Sequence, residues 1–192
     1  MKNKFTRLYR IWHWTMALSV IGLLATVLLR KTFLSWHTNS EIIINEFSKA
    51  GIEVTAELAK VTAKAIRVDM WEWHYVFGLF LGISILIRLY MMFTKRATSP
   101  IVSLIKEPKE KKLQYGVYTF LCFFIMMMAL SGGFLYFYQD FGFTKESIHW
   151  VKEVHEWMLY PIMLFITLHL VGVLKHEFVT KESIISKMIH GD

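Results

Sequence analysis

The sequence predicts an all-α integral membrane protein, a four-helix bundle of four transmembrane helices with both termini in the cytoplasm. Three observations lead there. Of the 192 residues, 55% are hydrophobic, 16% aromatic and only 19% charged, more apolar surface than a soluble core of this size needs. The apolar residues gather in four runs, Ile11–Leu29, Trp73–Phe93, Leu113–Tyr138 and Trp157–Leu174, each long enough to span a bilayer as a helix. Basic residues favour one set of connections between these runs over the other.

The first run contains no Asp, Glu, Lys or Arg and carries His13 near its start. Lacking a small-residue cleavage pattern, it reads as a retained helix and not as a signal peptide. Residues 31–70 form a long connection to the second run. From Ile52 to Phe77 there is neither glycine nor proline, and Val54, Leu58, Val61, Ala65 and Val68 recur at four- and three-residue intervals, the signature of an amphipathic helix. An extra helical insertion over about residues 40–70 is therefore expected, running directly into the second transmembrane helix. It serves either as a platform for a partner or as a helix lying over its own domain. The second run is interrupted only by Arg88, close to its far end, and the third holds Cys122, the only cysteine. With three prolines and no low-complexity tract, residues 1–192 read as a single membrane domain without linker or internal repeat.

Orientation follows from charge. Residues 2–10, 88–112 and 175–192 together hold 14 Lys+Arg against 5 Asp+Glu, while 30–72 and 139–156 hold 8 against 10. Both termini and the middle connection are then cytoplasmic. The net charge of +7 reflects basic runs facing anionic lipid head groups, and no nucleic-acid partner is expected.

The chemistry lies with histidine. His13 is at the cytoplasmic start of the first helix and His74 at the outer start of the second; the fourth helix enters from outside, bringing His155 first and His169 later. An ionisable side chain in such a segment is costly and marks function, and neutral imidazole is a favoured iron ligand. By depth the four sort into an inner pair, His13 with His169, and an outer pair, His74 with His155. His155 and His169 are 14 residues apart, about 21 Å of rise and a rotation only ~40° short of four turns, so they face nearly the same way at opposite depths. Two haems, one near each membrane face, are expected. The single cysteine excludes a C-x-x-C-H attachment motif, so both are non-covalent b haems. Taken singly, a histidine near a helix end also reads as an interfacial residue reaching for the head groups; the paired placement sets these four apart. His149 is a substitute candidate for the outer ligand, and His37, His176 and His190 read as surface residues.

Arg88 follows His74 by 14 residues and so reaches the inner depth. A buried arginine needs an anion, and a haem propionate supplies one of matching planar geometry. Arg10, three residues before His13, is a second candidate for the same role. Both also read as ordinary positive-inside anchors. Gly78 and Gly82 leave room either for a flat macrocycle or for close helix packing.

The stretches Arg10-Ile11-Trp12-His13-Trp14, Trp73-His74 through Ile87-Arg88-Leu89-Tyr90, Val154-His155-Glu156 and Leu168-His169 resemble the prokaryotic cytochrome b561 superfamily. Within it they are most similar to the b-type cytochrome subunits of membrane-bound nickel–iron hydrogenases, as is the tail Ser183-Ile184-Ile185-Ser186-Lys187-Met188. The resemblance covers all four spans. It implies a four-helix bundle in the bacterial inner membrane, with two b haems that exchange electrons with the quinone pool, and it gives His13, His74, His155 and His169 the ligand roles. The partner it implies is a periplasmic redox protein, such as a hydrogenase small subunit or another dehydrogenase or cytochrome. Two alternatives stay open. One is a stand-alone enzyme of the superfamily, a superoxide:quinone oxidoreductase, against which the acidic balance of the outer segments argues. The other is a non-redox transporter or scaffold using the same histidines for protons or metal.

Overall fold

Inside a bilayer the backbone has no water to bond with, and helices satisfy their N–H and C=O groups internally. The computed structural model is accordingly helical, with no strand among the described residues, which are 6–106, 108–181 and 183–191, position 110 by its backbone alone. In order these are α1 (Arg7–Lys31), α2 (Trp36–Lys49), α3 (Ala56–Ala65), α4 (Val68–Phe93), α5 (Pro100–Lys106), α6 (Lys109–Phe137), α7 (His149–Trp157) and α8 (Leu159–Leu174). A π-helical turn, Lys175–Val179, and a short α9 (Ile184–Ile189) follow. Four stretches are long and apolar enough to cross a membrane, Arg7–Lys31, Ala56–Phe93, Lys111–Phe137 and His149–Val179. The apolar runs of the sequence fall within them but for Tyr138.

Two expectations need correction. The connection after α1 holds two helices where the sequence predicts one insertion. Ser35 caps the start of α2, accepting from the Thr38 N–H, and Thr55 caps α3, accepting from the Leu58 N–H. Between them α2 closes in a Schellman turn, with Ile52 N–H on the Phe47 carbonyl and Gly51 N–H on that of Ser48. Gly51 takes φ +75°, where a side chain would be strained. α3 leads toward α4 with an interruption at Ile66–Arg67. The fourth run is likewise divided, since α7 ends at Trp157 and α8 begins at Leu159. Pro161 explains the break: it has no N–H to offer the Trp157 carbonyl four residues back. His155 and His169 thus stand on two successive helices and not on one unbroken helix. The middle connection also forms α5.

The chain divides into two compact units, Met16–Leu81 and Met1–Thr15 with Gly82–Asp192. In the first, α2 and α3 pair as a hairpin through small residues. Ala59 and Ala63 are fully buried and Ser40 nearly so, and small side chains let helix backbones approach closely. Lys60 and Lys64 lay their ammonium groups over the Trp36 ring at 5.9 and 5.6 Å. The stripe that the sequence singles out, Leu58, Val61 and Val68, stays at least half exposed. In the second unit, Met91 and Ser84 are the most deeply buried side chains of α4, and Ile125, Ile148, Val151 and Ile162 bring α6, α7 and α8 into one core. The loop after α6 folds back on it, with Phe141 stacked on Phe134 at 6.2 Å and Phe143 against the same ring at 5.4 Å.

Candidate functional site

All eight histidines are described, and exposure separates them. His13, His74, His155 and His169 are half-buried, whereas His37, His149, His176 and His190 are exposed. His149 turns its Nδ1 to Glu153 on the surface of α7, at 3.5 Å.

His13 of α1 and His169 of α8 come together, with ring centroids 6.3 Å apart and planes inclined at 56°. The segment carrying His13 is held on both sides. Trp12 Nε1 donates to the Ser84 carbonyl at 2.8 Å, and Trp14 Nε1 donates to the Met188 carbonyl at 3.2 Å. His169 is steadied by Phe165, one turn earlier, stacked on its ring at 6.1 Å and 13°. Tyr118 of α6 meets Phe165 edge-on at 6.1 Å. Two imidazoles on one iron through Nε2 place their centroids about 6 Å apart, because a metal–imidazole bond is about 2 Å. The observed pair has that separation. Among the described residues no group of three or more His, Cys, Asp or Glu side chains forms a metal site. Two imidazoles suit an iron whose other four positions a porphyrin occupies.

The arginines at this end give a second test of fit. Arg88 sits over the Trp12 and Tyr9 rings at 5.0 and 5.7 Å, and its Nη2 donates to the Thr98 carbonyl at 3.1 Å. Its Nη1 is buried with no acceptor among the described residues. Arg10 donates from Nη1 to the Ile189 carbonyl at 3.0 Å, while its Nε is likewise buried without one. A buried guanidinium N–H left unbonded costs on the order of 1–3 kcal/mol or more, so two of them 78 residues apart in the chain call for an anion. The carboxylates of a haem's propionates have the charge and planarity to meet them.

His74 and His155 belong to different units, and each is held in the same way. In the Met16–Leu81 unit, His74 Nδ1 lies 2.8 Å from the Thr26 hydroxyl, which donates to the Leu23 carbonyl at 2.7 Å. In the other, His155 Nδ1 lies 2.8 Å from the Ser131 hydroxyl, which donates to the Met127 carbonyl at 2.7 Å. The His155 ring also leans on the backbone of Gly132, where an added Cβ would come within 3.1 Å of Cε1. Both hydroxyl residues are buried, Thr26 at 4% exposure and Ser131 at 8%. Gly78 and Gly82 have open space where a Cβ would project. Outside the spans, the Glu146 carboxyl is held below the usual carboxylate range by its own backbone N–H and by the Thr144 hydroxyl, with Lys145 adding to the effect. That loop therefore keeps its negative charge at neutral pH.

Thr26 and Ser131 go unmarked in the sequence, where the only signal is a hydroxyl inside an uncharged apolar run. So do Phe165, one helical turn from a ligand candidate, and the carbonyls of Met188 and Ile189, which no side-chain pattern reveals. The chain matches the family described as prokaryotic cytochrome b561 over residues 4–191. No curated protein and no solved structure matches it.

Proposed function

Because the chain belongs to the prokaryotic cytochrome b561 family, membrane proteins that carry electrons on b-type haem, we propose that it connects a periplasmic redox partner to the quinone pool of a bacterial inner membrane. The observation that carries the reading is the pairing of His13 with His169 at 6.3 Å, together with buried arginine N–H groups that have no acceptor among the described residues. When bound, two b haems supply the one-electron chemistry. The protein supplies ligands, position and charge. His13 and His169 hold one haem through their ring nitrogens, and Arg88 and Arg10 direct N–H groups at its propionates. The sequence reading assigns His74 and His155 to the other, and within its own unit each is steadied by a hydroxyl at Nδ1. The excess of Lys and Arg at the termini and between the second and third spans supports cytoplasmic termini and a periplasmic connection between the first and second spans. The hairpin's uncovered Leu58 and Val61 are the natural seat for the partner, a hydrogenase small subunit or another dehydrogenase or cytochrome. In its charged rim Lys60 and Lys64 lie over Trp36, and Lys60 also pairs with Glu57 at 3.3 Å.

Sealed vesicles carrying the protein test this directly. A short-chain quinol is added to the membrane, and ferricyanide, which does not cross it, is confined to the side bearing the hairpin. Protein-dependent consumption of two ferricyanide ions per quinol oxidised is expected. No consumption above that of empty vesicles, from protein carrying its haem, would overturn the reading. Reduction of quinone by superoxide, with no partner protein present, would favour the stand-alone enzyme instead.

A further inference from the structure

A hydroxyl group has one proton to give, and Thr26 and Ser131 have each committed theirs. Thr26 donates to the Leu23 carbonyl at 2.7 Å; Ser131 donates to the Met127 carbonyl at 2.7 Å and reaches the Met128 carbonyl at 3.1 Å. Their 2.8 Å contacts with His74 and His155 must then run the other way, each imidazole donating its Nδ1–H to the hydroxyl oxygen. That fixes the tautomer. The proton stays on Nδ1, and the lone pair that can bind a metal stays on Nε2.

We infer that Thr26 and Ser131 are matched positioning residues that lock His74 and His155 in the tautomer and ring orientation needed to ligate iron through Nε2. The inference rests on the reading above that these two histidines hold a haem. The two supports come from different helices, α1 and α6, and from different side chains, yet each places a buried hydroxyl 2.8 Å from Nδ1 with its own proton directed into its helix backbone. Ser and Thr back-bonding of this kind is ordinary inside helices. What is not ordinary is that both oxygens then receive a histidine. On the His155 side the support is closed by Gly132, which has no side chain to push the ring off Ser131; a Cβ there would stand 3.1 Å from Cε1. His13 and His169 differ, their rings meeting those of Trp14 and Phe165.

An acceptor at Nδ1–H makes the imidazole a stronger donor to the metal. Stronger donation favours ferric iron over ferrous and lowers the midpoint potential. Thr26→Val and Ser131→Ala remove the hydroxyl oxygen with little change of shape, while at His155 the Met128 backbone, also hydrogen-bonded to the ring, stays in place. In the purified haem-loaded protein, a spectroelectrochemical titration is expected to show the midpoint of one haem rising in either variant and rising further in the double variant. The other haem should not move. Retention of the affected haem is expected to weaken by roughly 10–100-fold. Thr26→Ser and Ser131→Thr keep the oxygen and should restore both midpoint and retention.

Midpoints unmoved in Thr26→Val and Ser131→Ala, with both haems bound, would overturn the inference and leave the haem reading standing. If a variant loses its haem instead, restoration by the conservative exchange supports an acceptor role. Failure of that exchange to restore it would overturn the inference, because only packing would have been lost. A wild-type protein that binds no haem would overturn the underlying reading, and this inference with it.

Discussion

Replacing His169 with alanine is expected to remove one haem and leave the other. The imidazole is half of the His13–His169 pair, and alanine offers the iron nothing while fitting the helix well. His13 alone would leave the iron with one protein ligand in place of two, and retention of that non-covalent haem is expected to fall. His155→Ala is expected to remove the other haem, because His155 stands on α7, before the interruption at Met158, and meets Ser131 and Gly132 and not Phe165. Haem content per chain, read with the reduced-minus-oxidised spectrum of each variant, decides the matter. Loss of the same spectral component in both variants, from folded protein, would defeat the pairing.

Excising the α2–α3 hairpin is expected to cost the protein its partner and not its haems. Replacing residues 36–65 with a short Gly/Ser linker removes both helices together, so that neither is left with the face formed by Ser40, Ala59 and Ala63 bare. The contacts that hold His74 and its neighbours survive: the Thr26 hydroxyl at 2.8 Å and the Arg30 guanidinium over Trp71 at 5.7 Å lie outside the excised segment. Partner-dependent electron transfer per intact haem should fall roughly tenfold or more, the effect of losing even one interface anchor worth about 1.4 kcal/mol. Haem content per chain should stay as in the intact protein. If transfer per haem is unchanged, the hairpin is a cover for its own domain and the docking role is lost.

How far the sequence leads depends on whether a feature is written along one segment or across several. The spans are legible because Ile11–Leu29 or Leu113–Tyr138 can be nothing else without a charge to interrupt them. The four histidines stand out for the same reason, being costly where they are. The hairpin is harder. The periodic Leu58 and Val61 mark α3 correctly, but the face that packs on α2 is the inconspicuous Ala59 and Ala63, and α2 itself mixes polar and apolar residues. The break at Met158 had a visible cause in Pro161, whose effect falls four residues upstream on a carbonyl. Thr26 and Ser131 were not legible. Each is one hydroxyl in a long apolar run, and its meaning depends on a histidine 48 or 24 residues away that only the fold brings to it. The open N–H groups on Arg10 and Arg88 are of the same kind, since burial without an acceptor is a property of the packed chain.

This chain, with one cysteine and no C-x-x-C-H motif, is expected to hold two b haems on four histidines. A pyridine haemochrome assay on the purified protein, referred to protein concentration by quantitative amino-acid analysis, tests this most directly. Two haems per chain, extractable with acidified acetone, is the expected result. One haem per chain, or none, would contradict it.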